Sequence, residues 1–366
     1  MNFEECRRSG TLNSFIHIGG GLSLGLIRER IAIDLGTAYS IVAHEKSKNF
    51  WRVPSSIAFH ALTRLPVAYG EAAKEMAGKG SEKINVVRPL RDGVICDFEA
   101  AGQYLTYLVN QARRNPLALQ VSVLVCVPWG ATPVETKSYK DRIENMRTHV
   151  RLIREPFAAA LGCDLDVFSP EGCTVVDIGG GTVEISTIAY GHMIHCSSLR
   201  QAGNAMDQLI ADRMLRTRQF EIGLTTAEEV KMARGSVASD PNIMEEAFEI
   251  FGLDRRSGFP RRTTITSEDI RGFLEPITQT IENKLIEHIN VLPPEFRSQV
   301  ESKGIYMVGG GALLRGWKIR LERDFGIKVN IPEDPQLAVI RGMQKVLKHR
   351  SRYKSLVKIS ESEMTN

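Results

Sequence analysis

The sequence has few of the features that would place it at once in a secreted, membrane-spanning or nucleic-acid-binding class. Its six cysteines lie far apart and form no C-x-x-C pair for zinc or redox chemistry, so we expect reduced core thiols in a cytoplasm. The 47 Lys and Arg residues exceed the 43 Asp and Glu residues by a mild +4 that is spread along the chain. This distribution lacks the basic stripe of a nucleic-acid binder. The uncharged stretch 9–27 carries five glycines and a histidine, which would make it a poor membrane span.

The chain does contain enough apolar material for two or three globular units, with 366 residues, 43% of them hydrophobic, at about 150 residues per domain. From residue 31 onward, short β-like runs alternate with helical periods, which predicts an α/β architecture with covered sheets. Buried strands are expected at 31–34, 121–127, 173–177 and 304–308. A long helix is expected from about Ser267 to Asn290, with Thr266 or Ser267 as its N-cap, and a later apolar-periodic helix ends near Leu347.

Two segments repeat the same order of residue types: an apolar strand, an aspartate, a glycine-rich turn and a threonine. They run from Asp34 to Ser40 and from Asp177 to Thr182. Glycines let backbone N–H groups approach phosphate oxygens closely, and an aspartate at a strand end can hold the hydrated Mg²⁺ that accompanies a nucleoside triphosphate. The repeat suggests a duplicated fold whose halves face each other and clamp one triphosphate. Neither turn has the G-x-G-x-x-G fingerprint, and the absence of G-x-x-x-x-G-K-[ST] excludes a P-loop enzyme.

A third glycine cluster, at 308–314, again follows a strand and precedes a helical stretch. A backbone without side chains can lie flat against a base or a ribose. Alone, the cluster is also compatible with a simple strand-to-helix turn. Beside the two aspartate turns, it favours nucleotide binding.

These three turns, in this order and spacing, resemble those of the actin, sugar kinase and heat-shock chaperone ATPase superfamily. The segments 88–98, 125–132, 155–160 and 308–315 resemble the bacterial actin MreB family more specifically. The resemblance runs from about Ile31 to Leu347. It implies an α/β, actin-like ATPase fold with two lobes, each with a central mixed sheet flanked by helices, and a nucleotide cleft between them.

The resemblance also implies domain boundaries. The first lobe would span 31–160, with a small subdomain at about 50–87 and a returning helix at about 333–347. The second lobe would span 161–332, with a small subdomain at about 204–262. The glycine-rich composition of residues 1–30 separately predicts an N-terminal extension: a flexible tail, a membrane-touching segment or an artefact of the assigned start codon. Residues 348–366 would form a basic and polar tail, either solvated or in contact with acidic lipid or a partner.

Functional roles follow from the same resemblance. Asp34 would organise Mg²⁺ through water, and Glu155 would position or polarise the attacking water. Asp177 and Thr182 would act from the opposing turn. ATP would be held by residues of the three turns and of two helices: Gly36, Thr37, Ala38, Ser40, Gly179, Gly180, Gly181, Gly203, Glu228, Lys231, Gly309, Gly310, Gly311 and Ala312.

Four positions depart from the family pattern. Arg154 stands where the family has the first glutamate of Glu-Glu-Pro, and Asn204 stands where it has the aspartate of Gly-Gly-Asp. Tyr39 replaces a smaller amide residue, and Val183 replaces a threonine. Both aspartates and the catalytic glutamate remain. We therefore expect ATP binding together with slow ATP hydrolysis.

The resemblance implies an ATP-binding cytoskeletal protein that polymerises into membrane-associated filaments and organises cell shape through rod morphology and cell-wall synthesis. It would lie in the cytoplasm at the inner membrane surface, with the loop 115–119 and the neighbouring Arg113 and Arg114 as one contact. Three alternatives remain: an organelle-positioning filament like that of the magnetosome actin MamK, a small-molecule kinase of the same superfamily, and a non-hydrolysing ATP-binding scaffold.

Overall fold

The structure, a computed structural model, describes residues 28–77, 82–91, 93–115, 118, 120–144, 148–239 and 247–358. It describes the side chains of these residues except those of 138–140, 142–144 and 358. Within these ranges, no helix has the length and apolar character needed to cross a bilayer.

Residues 28–162 form short strands interrupted by helices. In chain order these are β1 (Arg28–Leu35), β2 (Tyr39–His44), β3 (Phe50–Pro54), β4 (Ile57–His60), β5 (Pro66–Tyr69), α1 (Gly70–Met76), β6 (Ile84–Val87), β7 (Leu90–Arg91), β8 (Val94–Ile95), α2 (Phe98–Ala112), β9 (Gln120–Val127), α3 (Pro133–Glu144), β10 (Thr148–Arg154) and α4 (Glu155–Gly162).

Residues 173–358 continue the alternation. They form β11 (Cys173–Ile178), β12 (Val183–Ala189), β13 (His192–Leu199), α5 (Gly203–Arg218), β14 (Phe220–Glu221), α6 (Leu224–Arg234), β15 (Phe248–Asp254), β16 (Pro260–Ile265), α7 (Ser267–Val291), α8 (Pro294–Lys303), β17 (Ile305–Val308), α9 (Trp317–Phe325), β18 (Val329–Asn330), α10 (Ala338–Lys348) and β19 (Val357–Lys358). Short 3₁₀ turns lie at Gly310–Leu313, Pro335–Leu337 and Lys354–Leu356.

The strands assemble into two central sheets. One has the order β19-β10-β9-β1-β2-β3, and we call it and its helices the first lobe. The other has the order β13-β12-β11-β17-β18, and we call it and its helices the second lobe. A small sheet β5-β4-β6 belongs to the first lobe and a small sheet β14-β15-β16 to the second. The α/β fold of two lobes expected from the sequence is confirmed.

The two central sheets are alike around their first hairpin. β1 pairs antiparallel with β2 and parallel with β9, and β11 pairs antiparallel with β12 and parallel with β17. Asp34 lies opposite Ile41 in the first hairpin, and Asp177 lies opposite Glu184 in the second. The repeated sequence pattern therefore corresponds to a repeated piece of structure, with each aspartate near the end of its strand.

The helix α10 returns to the first lobe and crosses α4 closely. A Cβ atom on Gly342 would lie 1.8 Å from the Ala158 carbonyl oxygen, and one on Gly162 would lie 1.8 Å from the Ala338 carbonyl oxygen. Glycine is therefore required at both contact points, because any side chain would force the helices apart. Gln344 on the same helix donates to the carbonyl oxygens of His44 and Ser47, at 2.8 and 2.7 Å.

The long helix predicted near residues 267–290 is α7. Its N-terminus is closed by a capping box, in which Thr266 Oγ1 accepts from the Asp269 backbone N–H at 3.2 Å and Asp269 Oδ2 accepts from the Thr266 backbone N–H at 2.9 Å. Pro276 lies inside the helix without ending it.

Both ends of the fold differ from expectation. The first strand begins at Arg28, within the predicted extension, because Glu29 is buried and its Oε1 accepts from the backbone N–H groups of Arg114 and Asn115. The predicted solvated tail is wrong as far as residue 358. Tyr353 and Leu356 are buried there, and β19 pairs with β10. The rest of both termini, 1–27 and 359–366, lies outside the described residues.

The cysteines in the described part of the chain form no disulfide. Cys126 is buried, as a core thiol would be. Cys96 is exposed, so the expectation that all cysteines lie in the core is wrong at this position.

Candidate functional site

A cleft of about 1200 Å³, partly open to solvent, lies where the two lobes face each other. Most residues expected to bind or process a nucleotide line it: Asp34, Gly36, Thr37, Ala38, Glu155, Asp177, Gly179, Gly180, Gly203, Glu228, Lys231, Gly309, Gly310 and Gly311. Ser40, Gly181, Thr182 and Ala312 do not line it. The predicted residues that line the cavity extend from Asp34 to Gly311, 277 positions apart in sequence.

The first turn, residues 36–38, connects β1 to β2. A Cβ atom on Gly36 would lie 2.5 Å from the Tyr39 carbonyl oxygen, so the turn requires glycine. Ser55 Oγ donates to the Gly36 carbonyl oxygen at 2.6 Å and lies 2.8 Å from Ser40 Oγ. Ser40 is therefore buried behind the turn, where its hydroxyl supports the backbone.

The second turn, residues 179–182, connects β11 to β12. It is closed by a 2.9 Å hydrogen bond from the Gly179 N–H to the Thr182 carbonyl oxygen. The Asn204 N–H at the start of α5 donates to the Gly180 carbonyl oxygen at 2.7 Å. A Cβ atom on Gly180 would lie 2.8 Å from the Cβ atom of Ala38. The two turns therefore meet across the cleft.

The third glycine cluster lies beside the second aspartate. Gly309 has φ +80°, and a Cβ atom there would lie 2.3 Å from Asp177 Oδ1. A Cβ atom on Gly311 would lie 2.1 Å from Ile178 Cγ2. The Trp317 indole N–H donates to the Gly311 carbonyl oxygen at 3.0 Å. The cluster is therefore a bare, fixed backbone wall of the cleft.

Three carboxyl groups line the cleft, those of Asp34, Glu155 and Asp177, and Glu184 lies in β12 opposite Asp177. Burial, and then the charge of Asp177, raises the pKa of Asp34 from 3.8 to about 7 and that of Glu184 from 4.5 to about 7. Burial raises the pKa of Asp177 to about 6. Burial and the charge of Asp177 also raise the pKa of Glu155 well above its ordinary value. Within the described part of the chain, none of the four has an ion-pair partner within 4 Å. A backbone hydrogen bond from Trp129 and the charge of Arg154 partly offset the rise in the pKa of Glu184. A cation bound beside these carboxyl groups would favour their ionised forms.

The carboxyl oxygens are of the type that Mg²⁺ prefers. No group of three or more His, Cys, Asp or Glu side chains among the described residues is arranged to hold a metal ion directly. A Mg²⁺ ion that keeps most of its water ligands would need no such group, and Asp34 could accept hydrogen bonds from that water.

Glu184 was not anticipated from the sequence. It lies in β12 directly opposite Asp177, is 6% exposed, and its Oε2 atom has no hydrogen-bond partner. The sequence did contain a signal for Glu184. In the hairpin that follows Asp177, the residue seven positions later lies beside the aspartate on the neighbouring strand.

Arg154 and Asn204, which stand where the family pattern has carboxylates, occupy different places relative to the cleft. Arg154 Nη1 donates to the Pro128 carbonyl oxygen at 2.8 Å, and the guanidinium lies 5.6 Å from the ring centroid of Trp129. Arg154 does not line the cleft, whereas Asn204 does. The Asn204 Oδ1 atom accepts from Arg88 of the first lobe at 3.4 Å.

A polar cluster lies where α1 and α6 face each other across the cleft. Lys74 Nζ lies 2.9 Å from Glu228 Oε2 and 2.8 Å from the Tyr39 hydroxyl. Lys231 Nζ lies 2.7 Å from Asp207 Oδ1 and donates to the Gly203 carbonyl oxygen at 2.8 Å. The Lys74–Glu228 ion pair joins the two lobes and was not predicted from the sequence.

Known proteins share this architecture. The MreB/Mbl protein family model matches residues 28–355. The cell shape-determining protein Mbl of Bacillus subtilis (strain 168) is 34% identical over 314 residues, which are 85% of this chain and 93% of Mbl. The crystal structure of MreB5 of Spiroplasma citri bound to ADP has a TM-score of 0.83 at 32% identity, and the match covers 89% of this chain and 98% of MreB5.

The same values apply to MreB5 bound to AMPPNP. The MamK double helical filament has a TM-score of 0.73 at 22% identity, and the match covers 88% of this chain and 99% of MamK. At that identity, the likeness to MamK demonstrates a common fold alone.

Proposed function

The chain belongs to the MreB/Mbl family, and from this membership together with the cleft we propose that it is an ATP-binding, actin-like cytoskeletal protein that forms filaments and takes part in determining cell shape. The single observation that carries the proposal is the convergence of three glycine turns and two aspartates in one cleft between two lobes. The relative MreB5 binds ADP and AMPPNP, which supports the same ligand class for this chain.

ATP would be held from three sides. Backbone N–H groups of residues 36–38 and 179–180 would bind phosphate oxygens from the two lobes. The Gly309–Gly311 backbone would contact the adenosine. Lys231 and Glu228, on the α6 face of the cleft, would bind polar groups of the nucleotide. The close approach of Ala38 to Gly180 indicates that both turns can reach one phosphate chain.

Mg²⁺ would supply positive charge to the β- and γ-phosphates. Asp34 would accept hydrogen bonds from its water ligands, and Asp177 would do the same from the other lobe. Both carboxyl groups would ionise more readily beside the cation. Burial and then the charge of Asp177 raise the pKa of Asp34 to about 7, and burial raises the pKa of Asp177 to about 6.

We propose that Glu155 orients the attacking water. It is the first residue of α4, lines the cleft, and has no ion-pair partner within the described part of the chain. Its raised pKa would make the carboxylate, once ionised, a stronger proton acceptor for a water placed in line with the γ-phosphate. Arg154 provides no second carboxylate there, which is consistent with slow hydrolysis. Thr182 would act through its backbone by closing the second turn.

The proposed hydrolysis is tested by single-turnover phosphate release from Mg-ATP. Glu155→Gln should slow release by about 100-fold while leaving ADP affinity within a factor of about two. Glu229→Gln, at an exposed position on α6, is the matched control and should behave as the unmodified protein. A rate that is equally slow in all three proteins would refute hydrolysis at this site and favour a non-hydrolysing scaffold.

We further propose that the filaments lie in the cytoplasm at the inner face of the cell membrane. The apolar loop expected to touch lipid falls largely outside the described residues, since Pro116, Leu117 and Leu119 are not among them. Flotation with liposomes tests this part separately from ATP binding. An organelle-positioning filament and a small-molecule kinase remain the alternatives. Turnover of a phosphate acceptor other than water would favour the kinase.

A further inference from the structure

A second cavity, of about 800 Å³, lies in the first lobe and shares no lining residue with the nucleotide cleft. It is formed by β9, β10, the end of α10 and the segment leading to β19. Its apolar residues are Leu124, Val346, Leu347 and Val357. Its polar residues are Ser122, Arg151, Arg350, Ser351 and Lys354. We call the cavity lined by these apolar and polar residues the basic pocket.

The positive charges of the basic pocket are uncompensated. Among the described residues, Arg151, Arg350 and Lys354 take part in no ion pair and donate no side-chain hydrogen bond. Burial and then the neighbouring charges of Arg151 and Arg30 lower the pKa of Arg350. The negative charge of Glu45 raises the pKa of Arg350, but Glu45 already forms an ion pair with Arg30 at 2.6 Å.

Basic residues also occur at helix C-termini because they interact favourably with the terminal carbonyl groups. Here α10 ends at Lys348, next to Arg350. That explanation does not account for the whole cluster, since Arg151 comes from β10 and neither guanidinium donates to a helix carbonyl. Lys345 in the same last turn does have partners, namely the Leu161 carbonyl oxygen and Asp164. The charges of the basic pocket are therefore available to a ligand.

We propose that the basic pocket binds a phosphate group carried by an apolar molecule. Two guanidinium groups and an ammonium group match the charge and the oxygen geometry of a phosphate, and arginine can bind it through two parallel hydrogen bonds. The two serine hydroxyls add donors. The apolar residues would contact hydrocarbon next to the phosphate. The ligand is then a phospholipid headgroup with the start of its acyl region, or a soluble phosphate ester.

The test uses the full-length, nucleotide-free protein. Vesicles of phosphatidylglycerol and phosphatidylcholine, compared with vesicles of phosphatidylcholine alone, probe the lipid source by flotation. Glycerol 3-phosphate, followed by calorimetry, probes the soluble source. The variant Arg151→Gln/Arg350→Gln removes two pocket charges. The variant Arg262→Gln/Arg323→Gln removes two exposed charges of the second lobe and is the matched control.

The pocket variant should lose affinity for at least one probe by about tenfold or more, while the control keeps it. Loss for vesicles alone identifies a lipid, and loss for glycerol 3-phosphate identifies a soluble ester. The proposal is overturned if the pocket variant binds both probes as the control does, or if the unmodified protein binds neither. ATP affinity, measured in parallel, should be unchanged in the pocket variant. This establishes that the variant is folded and keeps the result separate from the proposed nucleotide function.

Discussion

Replacing a buried carboxyl group in the cleft by an amide should stabilise the nucleotide-free protein while weakening its binding of Mg-ATP. Asp177 is 8% exposed, and no hydrogen bond from a described residue reaches its carboxyl group. Asparagine has nearly the same size and carries no charge. The variant Asp177→Asn should therefore remove a cost of folding and, at the same time, a group that Mg-ATP binding requires.

The magnitude follows from the pKa of Asp177, which burial raises from 3.8 to about 6. An acid with a raised pKa in the folded state destabilises the fold above that pKa, and the penalty disappears below the unfolded value. A difference of about two pKa units corresponds to roughly 3 kcal/mol at pH 8. At pH 5 the folded carboxyl group is mostly protonated, and the penalty falls to about half.

Urea unfolding in EDTA at pH 8 and pH 5 measures this effect, with Glu229→Gln as an exposed control. Asp177→Asn should raise the free energy of unfolding by up to about 3 kcal/mol at pH 8 and by about half as much at pH 5. Its affinity for Mg-ATP should fall. A variant less stable than the unmodified protein at pH 8, or one whose gain grows toward pH 5, would refute the assignment of a desolvated, unpaired carboxylate.

Three further predictions concern the cleft and the core. Lys74→Met removes a partly buried ion pair with Glu228 across the cleft, so ADP should dissociate about fivefold faster in a stopped-flow chase; an unchanged rate would mean that the ion pair does not hold the lobes together. Thr266→Ala breaks the capping box of α7 and should lower the free energy of unfolding by about 1 kcal/mol; an unshifted urea midpoint would contradict this. Gly309→Ala should destabilise the fold by roughly 1–3 kcal/mol more than Gly326→Ala. Both glycines have positive φ, but only at Gly309 would a Cβ atom have neighbours within 4 Å. Equal shifts of the thermal unfolding temperature would disprove this steric argument.

The sequence allowed prediction of those parts of the molecule in which local residue types determine local structure. The two aspartate turns and the third glycine cluster were recognisable because a tight turn near a ligand restricts its residues to glycine and a few polar types. The N-cap at Thr266 was recognisable for a similar reason, because a threonine just before an apolar-periodic stretch is a local signal for the start of a helix.

Features that depend on distant pairs could not be predicted in this way. Glu29 looks like a surface residue in sequence, yet it is buried because the backbone at 114–115 donates two hydrogen bonds to it. Lys74 and Glu228 are 154 residues apart and meet only because the two lobes face each other. The C-terminal segment has the composition of a solvated tail, yet β19 in this segment pairs with β10.

Nucleotide-dependent sedimentation tests the central claim most directly. Purified protein is centrifuged with Mg-ATP, with Mg-ADP and without nucleotide, and the pellets are viewed by negative-stain microscopy. The proposed function predicts filaments in the pellet with Mg-ATP and few or none without nucleotide. Protein that binds Mg-ATP and yet remains monomeric under all three conditions would contradict the filament function.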